Sequence, residues 1–95
     1  MTAGMFPINQ IPAVVLFDSG SSHSFMSQAF AQKHKQKITE LGVEFRVSSA
    51  GADVKTRQMV QAITLDLDKW RFHLNLIVLP GLGVDVIIGM SWMSH

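Results

Sequence analysis

Cysteine is absent from the 95-residue sequence. Its absence excludes disulfide bonds, thiol catalysis and every zinc site that depends on cysteine. An excess of charge of one sign is also lacking, since eight basic residues oppose seven acidic ones and the net charge is +1. Domains that bind nucleic acid usually carry a strongly basic face, so no nucleic-acid partner is predicted.

Long apolar runs are missing as well. The longest, Leu76 to Val84, is interrupted by Pro80, Gly81 and Gly83, and it is far shorter than the ~20 residues of a membrane-spanning helix. No membrane partner is therefore predicted. The first basic residue is Lys33, so the charged start of a signal peptide is lacking. Together with the absence of cysteine, this pattern favours a reducing, intracellular location.

Clusters of metal ligands are not apparent either. The four histidines, at positions 23, 34, 73 and 95, do not show the spacing of a metal site. We therefore predict neither a metal nor a cofactor.

The length and the apolar content indicate a single domain over residues 1–95. The apolar fraction is 47%, which is ordinary for globular proteins and argues against disorder. On folding, a domain of this size buries roughly 60–65% of the surface that its unfolded chain exposes, less than a larger domain does, and is only marginally stable alone. Association with a second copy of the chain is one common way in which such a domain is stabilised.

Hydrophobic periodicity predicts β-strands along most of the chain. Val14 to Phe17 is a continuous run of strand formers, and Met5 to Ile8 precedes it as a hairpin partner, with a turn at Asn9 and Gln10. From Val43 onward apolar and polar residues alternate, which is typical of half-buried antiparallel strands. The predicted segments are Val43 to Val47, Val54 to Val60, Ile63 to Leu67, Trp70 to Val78 and Val86 to Ile88. In the Trp70 to Val78 segment, the alternation predicts Trp70 on the inner face and Ile77 on the outer face.

Helical signals are short. Ser27 is suited to cap a helix through about His34, with Phe30 and Ala31 facing inward. Met90 to Met93 is a second helical segment. The predicted fold is thus mostly β, a small closed β-barrel with one or two short helices.

One stretch, "VVLFDSGSSHSF" at Val14 to Phe25, brings a carboxylate to the end of an apolar strand. An ionised carboxylate is costly in such a setting unless it is paired or hydrogen-bonded. Asp18-Ser19-Gly20 alone is typical of an ordinary turn. About 65 residues later the sequence has Ile87-Ile88-Gly89, which predicts a short buried strand ended by glycine. The presence of this second stretch makes an ordinary turn a less complete interpretation of Asp18-Ser19-Gly20.

These two stretches resemble a known family. "VVLFDSGSSHSFMS" and "LNLIVLPGLGVDVIIGMSWMSH" are similar to the active-site and C-terminal stretches of retropepsins, the aspartic proteases of retroviruses and LTR retrotransposons. The likeness is greatest to the protease domain of plant Ty3/gypsy-type Gag-Pol polyproteins, and it runs from about Gly4 to His95. The resemblance implies an aspartic endopeptidase that processes a Gag-Pol polyprotein inside the cell, in the cytoplasm and the retrotransposon particle.

The chemistry of this class needs two carboxylates that share one proton. The sequence holds one Asp-Ser-Gly copy, so Asp18 of another chain must supply the second carboxylate. A twofold-symmetric homodimer places the same residue twice about its axis. The predicted partners are therefore a second copy of the chain and a peptide or polyprotein substrate.

The resemblance also assigns roles to the neighbours of Asp18. Ser19 would hydrogen-bond across the dimer axis, Gly20 would allow the two loops to approach closely, and Ser21 would hydrogen-bond the outer carboxylate oxygen. The Val43–Val60 hairpin would be the flap over the substrate. Its tip includes Ser49, Ala50 and Gly51, and Ile87 and Ile88 would line the cleft and support the Asp18 loop.

Two departures from the family pattern motivate alternatives. Ser91 stands where related plant sequences have an aspartate, and the sequence ends at His95, at or before the strand with which retropepsin dimers interleave. We expect weaker support of the active-site loop and a weaker dimer. The alternatives are an inactive retropepsin-like dimerisation or peptide-binding module, a host protease of the ubiquitin-linked kind with the same fold, and an unrelated small β-barrel.

Overall fold

β-Strands make up most of the computed structural model, which describes residues 2–49 and 52–89. One helix, α1 (Gln28–Lys33), accompanies them. The strands are β1 (Thr2–Ile8), β2 (Ile11–Asp18), β3 (Phe25–Ser27), β4 (Thr39–Ser49), β5 (Ala52–Leu67), β6 (Trp70–Leu79) and β7 (Val86–Gly89). The second predicted helix, Met90 to Met93, lies outside the described residues.

The strands form one sheet that closes on itself. Their order is β1-β2-β7-β3-β6-β5-β4, and β1 also pairs with β5 where Ile8 lies opposite Leu65. Six strands therefore form a ring, and β4 pairs with β5 outside it. This confirms the prediction of a small, mostly β barrel.

The β1–β2 hairpin turns at the two predicted residues. Asn9 and Gln10 have positive φ values of 50° and 67°, the conformation of the tight turns that connect two strands directly. Ile8 and Ile11 flank the turn, and Pro7 pairs with Pro12 one step further. Because the pair next to the flanking pair makes no ladder hydrogen bonds in such a hairpin, neither proline removes a bond between the two strands.

The middle of the ring has an unusual connection. β7 lies between β2 and β3, parallel to β2 and antiparallel to β3. The segment that joins β2 to β3, residues 19–24, must therefore pass over the end of β7. This crossing brings the Asp18 loop and Gly89 together, although 71 positions separate the two residues in the sequence.

Helix α1 begins as the sequence predicts. The Ser27 hydroxyl accepts a hydrogen bond from the Phe30 backbone N–H at 3.1 Å, so it satisfies one of the free N–H groups of the first turn. Phe30 and Ala31 are buried against the barrel. No helix within the described residues is long and apolar enough to cross a membrane.

Two predicted segments form one long strand. Val54 to Val60 and Ile63 to Leu67 both belong to β5, and the register with β6 shifts between Val60 and Ile63. At the shift Ala62 has a φ of 57°, and its N–H donates to the side chain of Asn75 at 3.0 Å. This irregularity keeps apolar side chains on the core face on both sides of it.

Strand β6 contributes to two apolar clusters, one on each face. Leu76 and Val78 belong to the barrel core, which also contains Ile8, Ala13, Val15, Met26, Phe30, Ala31, Val60, Ile63, Leu65, Val86 and Ile88. Ile77 and Leu79 point to the opposite face and pack with Phe25. The alternation had predicted Ile77 on the exposed face and Trp70 on the inner face. Ile77 is 2% exposed because the β4–β5 hairpin packs over it, and Trp70 is 70% exposed because it lies beside the β5–β6 turn.

Candidate active site

Asp18 is the last residue of β2, where it lies beside Gly89 of β7. Strand β2 reaches this point because Ala13 and Val15 are fully buried in the barrel core. Phe17 packs against the same core, and its ring meets that of Phe6 edge to face with centroids 5.5 Å apart. The end of β2 is therefore fixed on two sides, and the Asp18 carboxylate leaves the sheet from a well-supported position.

The loop after Asp18 is folded around the carboxylate. The Gly20 N–H donates to Oδ1 of Asp18 at 2.9 Å, and the Ser21 N–H donates to the Asp18 carbonyl oxygen at 3.2 Å. A side-chain bond to a backbone N–H two residues on is typical of an aspartate turn. Within the described part of the chain, Oδ2 accepts no hydrogen bond. One carboxylate oxygen is thus held by the loop, and the other is available to a ligand.

Ser21 differs from its expected role. Its hydroxyl donates to the His23 carbonyl oxygen at 2.7 Å. A hydroxyl has one proton to donate, so the expected hydrogen bond from Ser21 to the Asp18 carboxylate is not formed. Ser21 instead stabilises the turn that continues the loop.

Gly89 lies directly beneath this loop. A side-chain carbon at position 89 would lie 2.6 Å from the Ser21 carbonyl oxygen and would also meet the His23 carbonyl oxygen. The Gly89 N–H donates to the Ser24 hydroxyl at 3.0 Å. Glycine therefore permits the close approach of β7 to the Asp18 loop, and the Ser24 bond fixes it.

A cavity of about 450 Å³ lies between this loop, the outer face of the sheet and the β4–β5 hairpin. Asp18 and Gly20 contribute to its wall. The other described residues that line it are Ser21, Ser22, His23, Phe25, Phe45, Arg46, Val47, Ile77, Leu79, Leu82 and Ile87. The apolar members belong to the second apolar cluster, so the cavity has an apolar wall and a polar rim beside Asp18.

The predicted flap corresponds to the β4–β5 hairpin. Its tip residues Ala50 and Gly51 lie outside the described residues. Ser49 ends β4 opposite Ala52. Further from the tip, Phe45 and Val47 contribute to the cavity, so this hairpin does cover the Asp18 loop and the sheet beside it.

Ile87 and Ile88 point in opposite directions, which corrects the expectation that both line the cleft. Ile87 lines the cavity, whereas Ile88 is fully buried in the barrel core. Successive side chains of a strand alternate between its two faces. Ile88 lies opposite Phe17, so it supports the strand that carries Asp18 and does not face the cavity.

Several cavity residues were not identified from the sequence. Ile77 could have been found, because the unbroken apolar run Leu76 to Leu79 is a sign of burial on both faces. His23 follows the Asp18 turn in the sequence but carries no motif that indicates a role, and it lines the cavity. Arg46 and Leu82 had no distinguishing local pattern. They approach Asp18 only through the packing of the hairpin and of the loop after β6.

A metal centre has no support in the described residues, where no three histidine or acidic side chains converge. Asp18 places one carboxylate of the chain in the wall of the cavity. A carboxylate in such a position can accept a hydrogen bond from water and act on it as a general base.

Comparisons with known proteins identify a family and structures of the same fold. The family model for retroviral aspartyl protease matches residues 1–95. A structure of EIAV protease, solved with the inhibitor HBY-793, is 20% identical with a TM-score of 0.73, and the match covers 98% of this chain and 85% of that one. The retroviral protease-like domain of Ddi1 from Leishmania major is 19% identical with a TM-score of 0.70, and the match covers 99% and 75% of the two chains. No curated protein matches the sequence.

The fold and the site thus define a retropepsin-like domain, and the chain belongs to the retroviral aspartyl protease family. The two solved structures share its fold at low sequence identity.

Proposed function

We propose that this chain is an aspartic endopeptidase that acts as a homodimer, with Asp18 of each subunit in one catalytic pair. The observation that carries the proposal is the position of Asp18. It ends a buried strand beside the cavity, with Oδ1 held by the loop and Oδ2 free of partners in the described residues. Family membership and the single Asp-Ser-Gly copy support the same arrangement.

The proposed reaction uses the two carboxylates in different protonation states. Two carboxyl groups about 3 Å apart cannot both be ionised, because their negative charges repel. The pair therefore holds one proton, and its two apparent pKa values separate. The ionised Asp18 accepts a proton from water, and the water oxygen bonds to the carbonyl carbon of the scissile peptide. The protonated Asp18 of the partner subunit donates to the carbonyl oxygen. As the C–N bond of the tetrahedral intermediate breaks, the first Asp18, now protonated, donates its proton to the leaving amine nitrogen. The ionised Asp18 of the partner subunit accepts a proton from a hydroxyl of the intermediate, which releases the carboxylic acid product and restores the pair with one proton.

The residues around Asp18 have supporting roles in this proposal. Ser19 hydrogen-bonds across the dimer axis, and Gly20 allows the two loops to meet because it has no side chain. The flap tip, Ser49 to Gly51, closes over the peptide and excludes water. Ile87 contacts an apolar side chain of the substrate, since it already lines the cavity.

The proposed substrate is a retrotransposon Gag-Pol polyprotein, cleaved at apolar junctions in the cytoplasm within the retrotransposon particle. The likeness of the two quoted stretches to plant Ty3/gypsy-type proteases motivates this substrate. The apolar wall of the cavity, with Phe25, Ile77 and Leu79, is compatible with an apolar side chain next to the scissile bond.

The test is the hydrolysis of an apolar-junction peptide at mildly acidic pH over a range of protein concentrations. If the dimer is weak, the rate at low concentration rises with the square of the protein concentration. Asp18→Asn should lower the rate by about a thousandfold or more, while circular dichroism and the unfolding midpoint stay close to those of the original protein.

Asp85→Asn is a matched control, because Asp85 accepts a hydrogen bond from the Val14 backbone N–H at 2.8 Å and does not line the cavity. Hydrolysis that survives in Asp18→Asn would contradict the proposal.

The Leishmania major Ddi1 domain favours a second candidate, a host protease of the ubiquitin-linked kind, because its fold is nearly as similar, with a TM-score of 0.70 against 0.73. Cleavage of a ubiquitin-conjugated protein in preference to a Gag-Pol junction would support it. A third outcome, Asp18-independent peptide binding without turnover, would instead indicate an inactive binding module.

A further inference from the structure

The cavity beside Asp18 is bordered by more basic than acidic side chains. Among the described residues that line it, three can carry charge, namely Asp18, His23 and Arg46. In a dimer with one shared proton, the two Asp18 carboxylates carry one negative charge, whereas the two Arg46 guanidinium groups carry two positive charges. The assembled cleft therefore has an excess of positive charge before either His23 is counted.

Arg46 has no acidic partner in residues 2–49 and 52–89. The neighbouring acid of the same hairpin, Glu44, instead approaches Arg57 at 3.9 Å. Arg46 pairs in register with Lys55, so a second cation lies beside it rather than a compensating carboxylate. A guanidinium group presents several N–H donors in a geometry that matches a carboxylate.

His23 also contributes to this rim. Its Nδ1 lies 3.1 Å from the Ser22 hydroxyl, and its ring meets that of Phe45 edge to face with centroids 6.1 Å apart. The ring is thus positioned between the Asp18 loop and the hairpin. When the Ser22 hydroxyl donates to Nδ1, the Nε2–H of the neutral ring is left as a donor toward a ligand.

We propose that Arg46 and His23 select substrates that carry an acidic side chain close to the apolar residue at the cleavage junction. This inference rests on the proposed protease function and names a feature of its substrate. The apolar wall would hold the apolar side chain, and the cationic rim would bind the carboxylate of a nearby aspartate or glutamate. Opposite charges that meet at a partly enclosed site contribute mainly to specificity.

The test uses matched peptides that differ only by glutamate or glutamine, placed in turn at each position within three residues of an apolar junction. At one or two positions, glutamate should raise kcat/KM by about 1.5-fold to fivefold over glutamine, the range expected for a partly exposed charge pair. High salt should reduce this ratio, because ions screen exposed charges.

Arg46→Gln should bring the glutamate-to-glutamine ratio close to one, and Arg46→Lys should retain part of it. Lys55→Gln is the matched control, since Lys55 lies beside Arg46 in register but lines a different cavity. His23→Gln should reduce the ratio. His73→Gln should leave it unchanged, because His73 occupies an exposed strand position and does not line the cavity.

The outcomes separate this inference from the proposed function. Asp18-dependent cleavage with equal rates for glutamate and glutamine peptides would overturn the inference and leave the protease function intact. If no peptide is cleaved, the same pairs are compared by binding to the Asp18→Asn protein. Tighter binding of the glutamate peptide that disappears in Asp18→Asn/Arg46→Gln would support the inference, and equal binding of all pairs would overturn it.

Discussion

The two faces of strand β6 belong to regions with different functions. On one face, Leu76 and Val78 lie in the closed barrel core and are almost completely buried. On the other, Ile77 and Leu79 form a smaller cluster that the β4–β5 hairpin covers only in part. The comparison teaches that the same alternating strand stabilises the fold with one set of side chains and builds the wall of the candidate site with the other.

The largest effect on stability is expected from the barrel core. Leu76→Ala should lower the free energy of unfolding by about 3 kcal/mol, because Leu76 is 0% exposed and its removal leaves a cavity in a closely packed interior. That is a large share of the ~5–15 kcal/mol typical of a domain. Urea unfolding followed by circular dichroism measures the change. A loss below about 1 kcal/mol would show that the core can collapse around the missing side chain.

Leu79→Ala, the matched change on the other face, should destabilise the protein less, by about 1–2 kcal/mol. Leu79 is 6% exposed and already borders the cavity, so fewer packing contacts are lost. Its main effect should be on substrate, with a raised KM for apolar-junction peptides. Equal losses of stability for Leu79→Ala and Leu76→Ala would mean that the two clusters do not differ in packing.

The smallest of these effects is expected at the start of α1, outside both clusters. Ser27→Ala removes the acceptor for the Phe30 N–H and should cost about 1 kcal/mol. Ser27→Thr keeps an accepting hydroxyl and should retain most of that stability. Chemical denaturation of both variants measures the contribution of the cap, because Ser27→Ala lacks the hydroxyl and Ser27→Thr keeps it. An unchanged unfolding midpoint in Ser27→Ala would show that the hydroxyl contributes nothing to stability.

Local patterns predicted much of the barrel. The turn at Asn9 and Gln10 and the cap at Ser27 are both found where the sequence indicates them. Each depends on the conformational preference of one or two residues, so neighbours in sequence are sufficient to predict it. The predictions that Trp70 is buried and Ile77 exposed were wrong. The exposure of these side chains depends on where a strand ends and on which element covers its outer face.

The candidate site was predicted unevenly for the same reason. Asp18 and Ile87 lie at the cavity as expected, and Ile88 does not. Arg46 and Leu82 were missed because their sequence surroundings resemble those of any exposed hairpin or loop residue. Their approach to Asp18 follows from strand pairing between distant segments.

By itself, the sequence determined the positions of most strands, the turn and cap residues, and the arrival of a carboxylate at the end of an apolar strand. These features follow from backbone preference and from the burial of apolar side chains at regular intervals. Only the tertiary structure decided that β7 would lie between β2 and β3, that the Asp18 loop would pass over Gly89, and that the hairpin would enclose a cavity with a cationic rim. Those features depend on contacts between residues far apart in the chain, which no local pattern contains.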